Sequence, residues 1–404
     1  MMSSFKKLLG QLDRNVWVLS ITSFLTDVSS EMLFNLLPLF LFNVLGVRTT
    51  VIGLIEGIAE TTASVLKIFS GSISDRLGKR KNLAVIGYGI SALAKPFLYF
   101  ASTWGGVLGI RFSDRVGKGI RTAPRDALLA GSVSEKRRGL AFGLHRAGDT
   151  AGAFTGLAIA AGIVWLSQSG LARLTRVTFQ HVVLASVIPG FAAVLILAAG
   201  AREVAPAAAA QTLKLNLAGL SKNFKAFLIV VILFTLGNSS DAFIILLGQN
   251  RGLSVLQVLF MLMTFNAIYA LFSGPAGSLS DRTGRRKLVL AGWLVYALIY
   301  LGFAVSKSGA QVWGLFAFYG LYYALTEGVA RAFIADLVTA EKRGTAYGLY
   351  HGAVGLTAFP ASLLAGILWQ GIGSWPGFGP PAPFYFGASM ALLAGVLLLK
   401  KPGG

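Results

Sequence analysis

Long apolar stretches alternate with short polar ones along nearly the whole chain. Most hold about 20 residues, the length an α-helix needs to cross the hydrocarbon core of a bilayer. Twelve are predicted, over residues 15–45, 50–73, 82–102, 104–130, 138–167, 178–200, 223–249, 254–279, 288–306, 309–336, 344–370 and 383–399. The pattern predicts an all-α polytopic membrane protein. An Ala-rich, weakly amphipathic segment at 201–222 interrupts it near the middle.

Composition sharpens this picture. Of 404 residues, 55% are hydrophobic and 13% charged, and a soluble domain of this size needs more polar surface than that. The net charge of +20 raises the question of nucleic acid, and the position of the cations answers it. At one set of loops and ends lie 22 of them, including Arg76, Lys79, Arg80 and Lys81 after the second stretch and Arg282, Arg285, Arg286 and Lys287 after the eighth. Five, Arg48, Arg173, Arg176, Arg251 and Lys307, lie at the other. The positive-inside rule then places both termini in the cytoplasm, and the charge reports topology, not nucleic-acid binding. The absence of cysteine excludes disulfides, thiolate metal sites and cysteine catalysis. The basic start, MMSSFKKLLGQLDR, is read as a retained segment before the first span and not as a cleaved signal.

The chain repeats itself. GSISDRLGKRK at 71–81 returns as GSLSDRTGRRK at 277–287, an offset of 206 residues. EKRRGLAFGLHRAG from Glu135 matches EKRGTAYGLYHGA from Glu341, and SSEMLF from Ser29 matches SSDAFI from Ser239. Three matches in one order predict two six-helix halves, 1–200 and 223–404, joined by a cytoplasmic loop at 201–222. In both copies, Gly71 and Gly277 suit close helix approach, Gly78 and Gly284 suit a tight turn, and Arg76, Lys79, Arg282 and Arg285 anchor the loop in the cytoplasm.

The repeated GxxxDRxGRR-like segment resembles motif A of the major facilitator superfamily, and the resemblance covers essentially the whole chain. TDVSSEM, GLIEGIAE and DRVGKGIRTAPRDAL are similar to segments of bacterial facilitators known as efflux permeases. The resemblance implies the facilitator fold, two six-helix bundles related by a pseudo-two-fold axis. It implies that Asp75 and Asp281 each cap a neighbouring helix within a charge cluster made in one transport state and broken in the other. By the same analogy Lys79 would meet Asp126, and Arg285 would meet Asp336. The alternative for the motif is a determinant of topology only.

Nine cations remain inside the spans, five of them on the fourth: Arg111, Arg115, Lys118, Arg121 and Arg125. At 100° per residue they share an arc of about 140° with Asp114 and Asp126. That face must look into protein or a water-filled cavity, because an unpaired cation at mid-bilayer costs roughly 2.5–3.5 kcal/mol. The outer pair, Arg111 and Arg115, is expected at a substrate cavity, and Arg121 and Arg125 at the cytoplasmic gate. Acids lie on matching faces: Asp27 and Glu31 with Asn35 on the first helix, Glu56 and Glu60 with Lys67 on the second. His145, Arg146 and Asp149 lie on the fifth, Asn238 and Asp241 on the seventh, Glu327 and Arg331 on the tenth. By the resemblance, helices 1, 4, 7 and 10 line the central cavity.

A carboxylate that alternates between water and a poorly hydrated cavity can take up and release a proton. Asp27 with Glu31 is the first candidate for proton coupling, then Asp241, with Glu327 also considered. The alternative is static salt bridges to Arg115 or Arg121. Candidates for the substrate cavity are Asn35, Arg111, Arg115, His145, Arg146, Asp149, Asn238, Arg331 and His351. Arginine could bind an anionic group there, or be neutralised by nearby acids. No metal is expected, Glu56, Glu60 and His145 forming only a loose grouping. GDTAGAFTG, with glycines 148, 152 and 156, is a small-residue packing stripe that partly resembles the antiporter motif C. Trp104, Trp165, Trp293, Trp369 and Trp375 are read as an interfacial belt.

Without G-x-S-x-G, H-E-x-x-H or a P-loop, the pattern argues against an enzyme or a primary pump. The expected function is proton-coupled efflux of a small organic molecule, with an organic anion or metal chelate such as a siderophore as the alternative. No cofactor is expected beyond a proton gradient. The expected setting is the bacterial inner membrane, with a small-molecule substrate and the lipid bilayer as partners, and the chain acting as a monomer.

Overall fold

A computed structural model of the chain describes residues 12–134, 137–168, 170–204, 219–339 and 342–400. Of the central loop, residues 205–218 lie outside that description, as do the side chains of 72, 75, 76, 277, 278, 280 and 281. Among the described residues all regular structure is helical. Twelve helices follow one another: α1 (Arg14–Val44), α2 (Thr49–Leu77), α3 (Arg80–Phe100), α4 (Trp104–Gly131), α5 (Arg138–Gln168), α6 (Arg176–Gly200), α7 (Lys222–Asn250), α8 (Val255–Thr283), α9 (Arg285–Val305), α10 (Gly309–Leu337), α11 (Arg343–Gln370) and α12 (Ala382–Lys400). The chain is a multi-pass membrane protein. Large apolar side chains such as Ile188, Leu166 and Phe97 remain exposed on the helices, as lipid contact requires.

Local chemistry sets the helix ends. Thr103, Ser221 and Ser308 cap α4, α7 and α10 by accepting hydrogen bonds from the backbone N–H of Gly106, Phe224 and Gln311. Gly78 and Gly284, at φ of 60° and 92°, make the α2–α3 and α8–α9 turns. Two helices are broken. α1 turns at Asn35–Leu36, and Pro38 helps restart it at Leu37, where the missing N–H costs nothing. α7 stops at Gly237 and resumes at Ala242.

The chain forms two compact units, the first comprising Met1–Phe34, Val65–Ala160 and Phe179–Thr212, the second Asn35–Ser64, Ala161–Thr178 and Leu213–Gly404. In the first unit the glycine stripe of α5 packs on α1. A Cβ at Gly148, Gly152 or Gly156 would lie 2.9, 2.4 or 2.5 Å from the carbonyl oxygens of Ser20, Phe24 and Val28. Gly117 of α4 meets Gly87 of α3 in the same way. At one end Leu12, Val16, Tyr88, Leu128, Leu129 and Leu197 close an apolar core. There Asn15 donates to Ser132 Oγ and Arg202 O and accepts from Arg202 N.

In the second unit the first half of α2 packs on α11 through Gly53, Gly57, Gly355 and Gly366. Gln370 Oε1 accepts from the N–H of Thr49 at 2.6 Å, and the hydroxyls of Thr50 and Thr61 donate to Gly371 O and Gly355 O. Tyr296, Tyr300, Phe303, Phe316, Tyr319 and Phe384 form an aromatic core. Trp293 belongs to this core. It is buried and stacks on Phe234 at 4.7 Å, so it is not part of an interfacial belt.

Candidate transport site

In the first unit the charged arc of α4 faces protein. Arg111, Asp114, Arg115 and Arg121 are each less than a tenth exposed, while Phe112 on the opposite face is 45% exposed. Asp114 lies 3.9 Å from Arg111 and 3.8 Å from Arg115. Three cations surround one ring: Arg111, Arg115 and Lys95 lie 4.2, 5.7 and 5.8 Å from the centroid of Phe34. Lys95, buried in α3 beyond that helix's basic first turn, donates at 2.9 Å to both Ser29 and Ser30, and Ser29 donates to Ser186 O, tying α3, α1 and α6 together. Arg121 stacks on Tyr88 and donates to Ser91 Oγ.

The acids of this unit gather between α1 and α5, where the glycine stripe brings the two helices into backbone contact. Ser23 donates a short hydrogen bond to Asp149, whose other oxygen lies 3.6 Å from His145 Nδ1. Asp27, one turn along α1, packs against Gly152, and the charges around it are those of Asp149, Glu31, Lys118 and Arg121. The cations that face these acids are Lys118 and Arg121 at Asp27 and Arg125 at Asp149. Arg146 is exposed, whereas its neighbour His145 is buried.

In the second unit Asp241 sits at the break of α7 and accepts from Tyr319 Oη at 3.2 Å, and Asn238 accepts from Tyr319 and Tyr296. Glu327 is held by Arg331 at 2.6 Å and by Tyr269 Oη. His351 lies edge-on to Tyr350. Asn35 is half-buried at the break of α1. Among the described residues no group of three or more His, Cys, Asp or Glu could hold a metal ion, and Glu56 and Glu60 belong to one unit and His145 to the other.

The repeated loops are arranged as follows. Gly71 approaches Ala123 of α4, while the side chains of Asp75, Arg76 and Asp281, with Gly277, lie outside the described residues. Asp126 is held at 2.8 Å by Arg125, its own neighbour, and not by Lys79, which is exposed. A side chain one residue away reaches the carboxylate without a turn of the intervening loop. In the second copy Arg285 bonds Asp336 at 2.6 Å and also Ala332 O, while Arg282 is exposed.

Comparison with known proteins completes the picture. The sequence model of the Major Facilitator Superfamily matches residues 19–246 and again 226–403. This chain belongs to the major facilitator superfamily. An MFS-type transporter of Methanocaldococcus jannaschii is 36% identical over 396 residues, covering 96% of this chain and 95% of the relative. Multidrug resistance protein 2 of Bacillus subtilis is 29% identical over 179 residues, 44% of this chain and 41% of that protein. Among solved structures, a POT family transporter in complex with 5-aminolevulinic acid superposes with a TM-score of 0.80 at 12% identity, covering 96% of each chain. The nucleoside transporter NupG gives 0.74 at 14%, covering 96% and 100%. These likenesses show the facilitator fold.

Two features of this facilitator escaped the reading of its residues. One is the aromatic assembly around Asp241, drawn from α8, α9 and α10. Its tyrosines at 296 and 300 and at 319, 322 and 323 have helical one-face spacing, a signal present in the sequence and read there only as apolar span. The other is Lys95. It stands out as the one charge beyond the first turn of α3, but its serine partners are visible only in the packed structure.

Proposed function

We propose that this facilitator is a proton-coupled exporter of small organic molecules that works by alternating access in a bacterial inner membrane. Both termini lie in the cytoplasm, and the repeats 1–200 and 223–404 are the moving halves. The observation that carries the reading is the grouping of Asp27 and Asp149 where the glycines of α5 pack on α1, Asp149 accepting from Ser23 and lying beside His145, with Lys118, Arg121 and Arg125 as the cations that face the two acids. Two neighbouring carboxylates cannot both ionise without strong repulsion, so such a pair binds a proton readily and releases it once water or a cation reaches it. Asp27 and Asp149 carry the proton, and Glu31 modulates them as the next acid on α1.

Export is supported by the likeness to Multidrug resistance protein 2 over part of the chain. The ion pairs Arg125–Asp126 and Arg285–Asp336 at the cytoplasmic ends form in one state and open in the other. An organic anion or metal chelate is the less favoured cargo, because Arg111 and Arg115 would have to leave Asp114 and Phe34 to bind it. The test is reconstitution of the purified chain into vesicles, with solutes first chosen by a thermal-shift screen. An imposed pH gradient is expected to drive a stabilising solute across the membrane, and equal transport with the gradient collapsed would refute the coupling.

A further inference from the structure

We propose that the start of α9 and the end of α12 form a binding site for one acidic phospholipid, its phosphate held by Lys287 beside the guanidinium of Arg286 and its acyl chains lying on the apolar faces of the two helices. A cavity of about 500 Å³ lies at the α8–α9 turn. Three consecutive cations, Arg285, Arg286 and Lys287, line it, with Asp336 as the acid among the lining residues. Arg285 donates to that acid and to Ala332 O. Arg286 donates to the carbonyls of Leu398 and Leu399, which fixes its guanidinium at the wall of the cavity, and Lys287 is exposed beside it. Basic clusters at the end of a membrane span attract acidic headgroups.

The repeat supplies a second observation. Lys81 of α3 corresponds to Lys287 by the 206-residue offset, and its backbone N–H donates to the two carboxylate oxygens of Glu203, at 3.2 and 3.1 Å. An anion therefore sits at the start of α3, where the helix N-terminus and the basic loop both favour negative charge. Glu203 comes from the segment just past α6. The residues just past the corresponding α12 read KPGG and contain no acid, and among the described residues no carboxylate takes the N–H of Lys287. The same position is filled from within the chain in one half and left to an outside anion in the other.

The apolar surroundings select a lipid over a free phosphate. Leu290 of α9 and Leu399 of α12 line the same cavity, and Leu399 is 66% exposed. From Lys287 the exposed face of α9 continues through Leu294, Leu298 and Leu301, and that of α12 runs from Leu399 through Val396 and Leu392. Spacings of three and four residues keep each row on one side of its helix. The two helices are packed together, since a Cβ at Gly387 of α12 would lie 2.6 Å from the Tyr300 ring of α9. Both rows are surface that hydrocarbon must cover, so a headgroup in the cavity has its tails beside them. The proposed topology makes this the cytoplasmic leaflet.

Native mass spectrometry of the purified full chain in detergent tests this, with dioleoylphosphatidylglycerol, dioleoylphosphatidylcholine and glycerol phosphate as probes. The first phosphatidylglycerol is expected to bind at least about tenfold more tightly than phosphatidylcholine, and glycerol phosphate is expected not to bind over the same range. Lys287→Gln should weaken that lipid about fivefold, the effect of one basic charge near a headgroup. Lys81→Gln removes the same charge where Glu203 already sits, and should change the affinity by less than about twofold. Equal affinity for the two lipids overturns the proposal. So does an equal loss in both variants, which would mean attraction to basic loops in general, and so does glycerol phosphate binding as tightly as the lipid, which would assign the cavity to a free phosphate. The comparison of probes needs no variant, so it decides the matter even if Lys287→Gln does not fold. No gradient or transported solute is involved, and failure here leaves proton-coupled export untouched.

Discussion

Replacing Gly152 of α5 by alanine should push α1 and α5 apart. The added Cβ would lie 2.4 Å from Phe24 O and 3.1 Å from Asp27 Cβ, and both are fixed by helical backbone. Ordinary contact needs about 3.4 Å, so the helices must separate by roughly 1 Å or distort, at a cost of about 1–3 kcal/mol. Alanine also gains about 1 kcal/mol of helix propensity, which would mask part of that loss. Gly162→Ala on the same helix provides the correction, because a Cβ there meets nothing within 4 Å. The difference between the two variants isolates packing and should be about 1–3 kcal/mol, or roughly 5- to 150-fold in the unfolding equilibrium. Denaturation of the purified variants in detergent measures it. Indistinguishable stabilities would refute the backbone contact that brings Asp27 beside Asp149.

Other substitutions separate structural from functional charges. Asp114→Asn leaves Arg111, Arg115 and Lys95 around Phe34 without their nearest carboxylate, so about 3–5 kcal/mol should be lost, seen as a sharply reduced yield of folded protein. Arg285→Ala removes a pair whose side chains are 30% and 52% exposed, so stability should change by less than about 1 kcal/mol in a denaturation curve while transport slows. Gln370→Ala removes the cap on Thr49 at the α2–α11 seam. Loss of about 0.5–2 kcal/mol is expected, with faster hydrogen exchange confined to the first turn of α2.

Much of the architecture is legible in the residues because lipid imposes a single constraint on every span. The stretches predicted at 104–130 and 309–336 end within one residue of α4 and α10. The turn glycines 78 and 284 were equally readable, since a positive φ leaves few other choices. The burial of α4's charged arc follows from its periodicity and the cost of charge in lipid.

What could not be read is the choice of partner. Arg125 and Lys79 are both cations within reach of Asp126 in principle, and only the packed loop decides between them. The packing of Asp27 on Gly152, three residues from Asp149, depends on which face of α5 carries its glycines toward α1. The break in α7 has no proline to announce it, and Asn238–Ser240 could equally have continued the helix. Tyrosines count as apolar in a span, so the assembly that surrounds Asp241 carries no signal until three helices pack together.

Proton coupling at the α1–α5 pair is tested most directly by comparing Asp27→Asn with the parent chain in proteoliposomes, for any solute that the thermal-shift screen identifies. Accumulation driven by an imposed pH gradient should disappear in the variant, while exchange of labelled for unlabelled solute at equal pH should persist, because binding and rocking do not need the proton once the charge is gone. Gradient-driven accumulation that survives in Asp27→Asn and also in Asp149→Asn would contradict it.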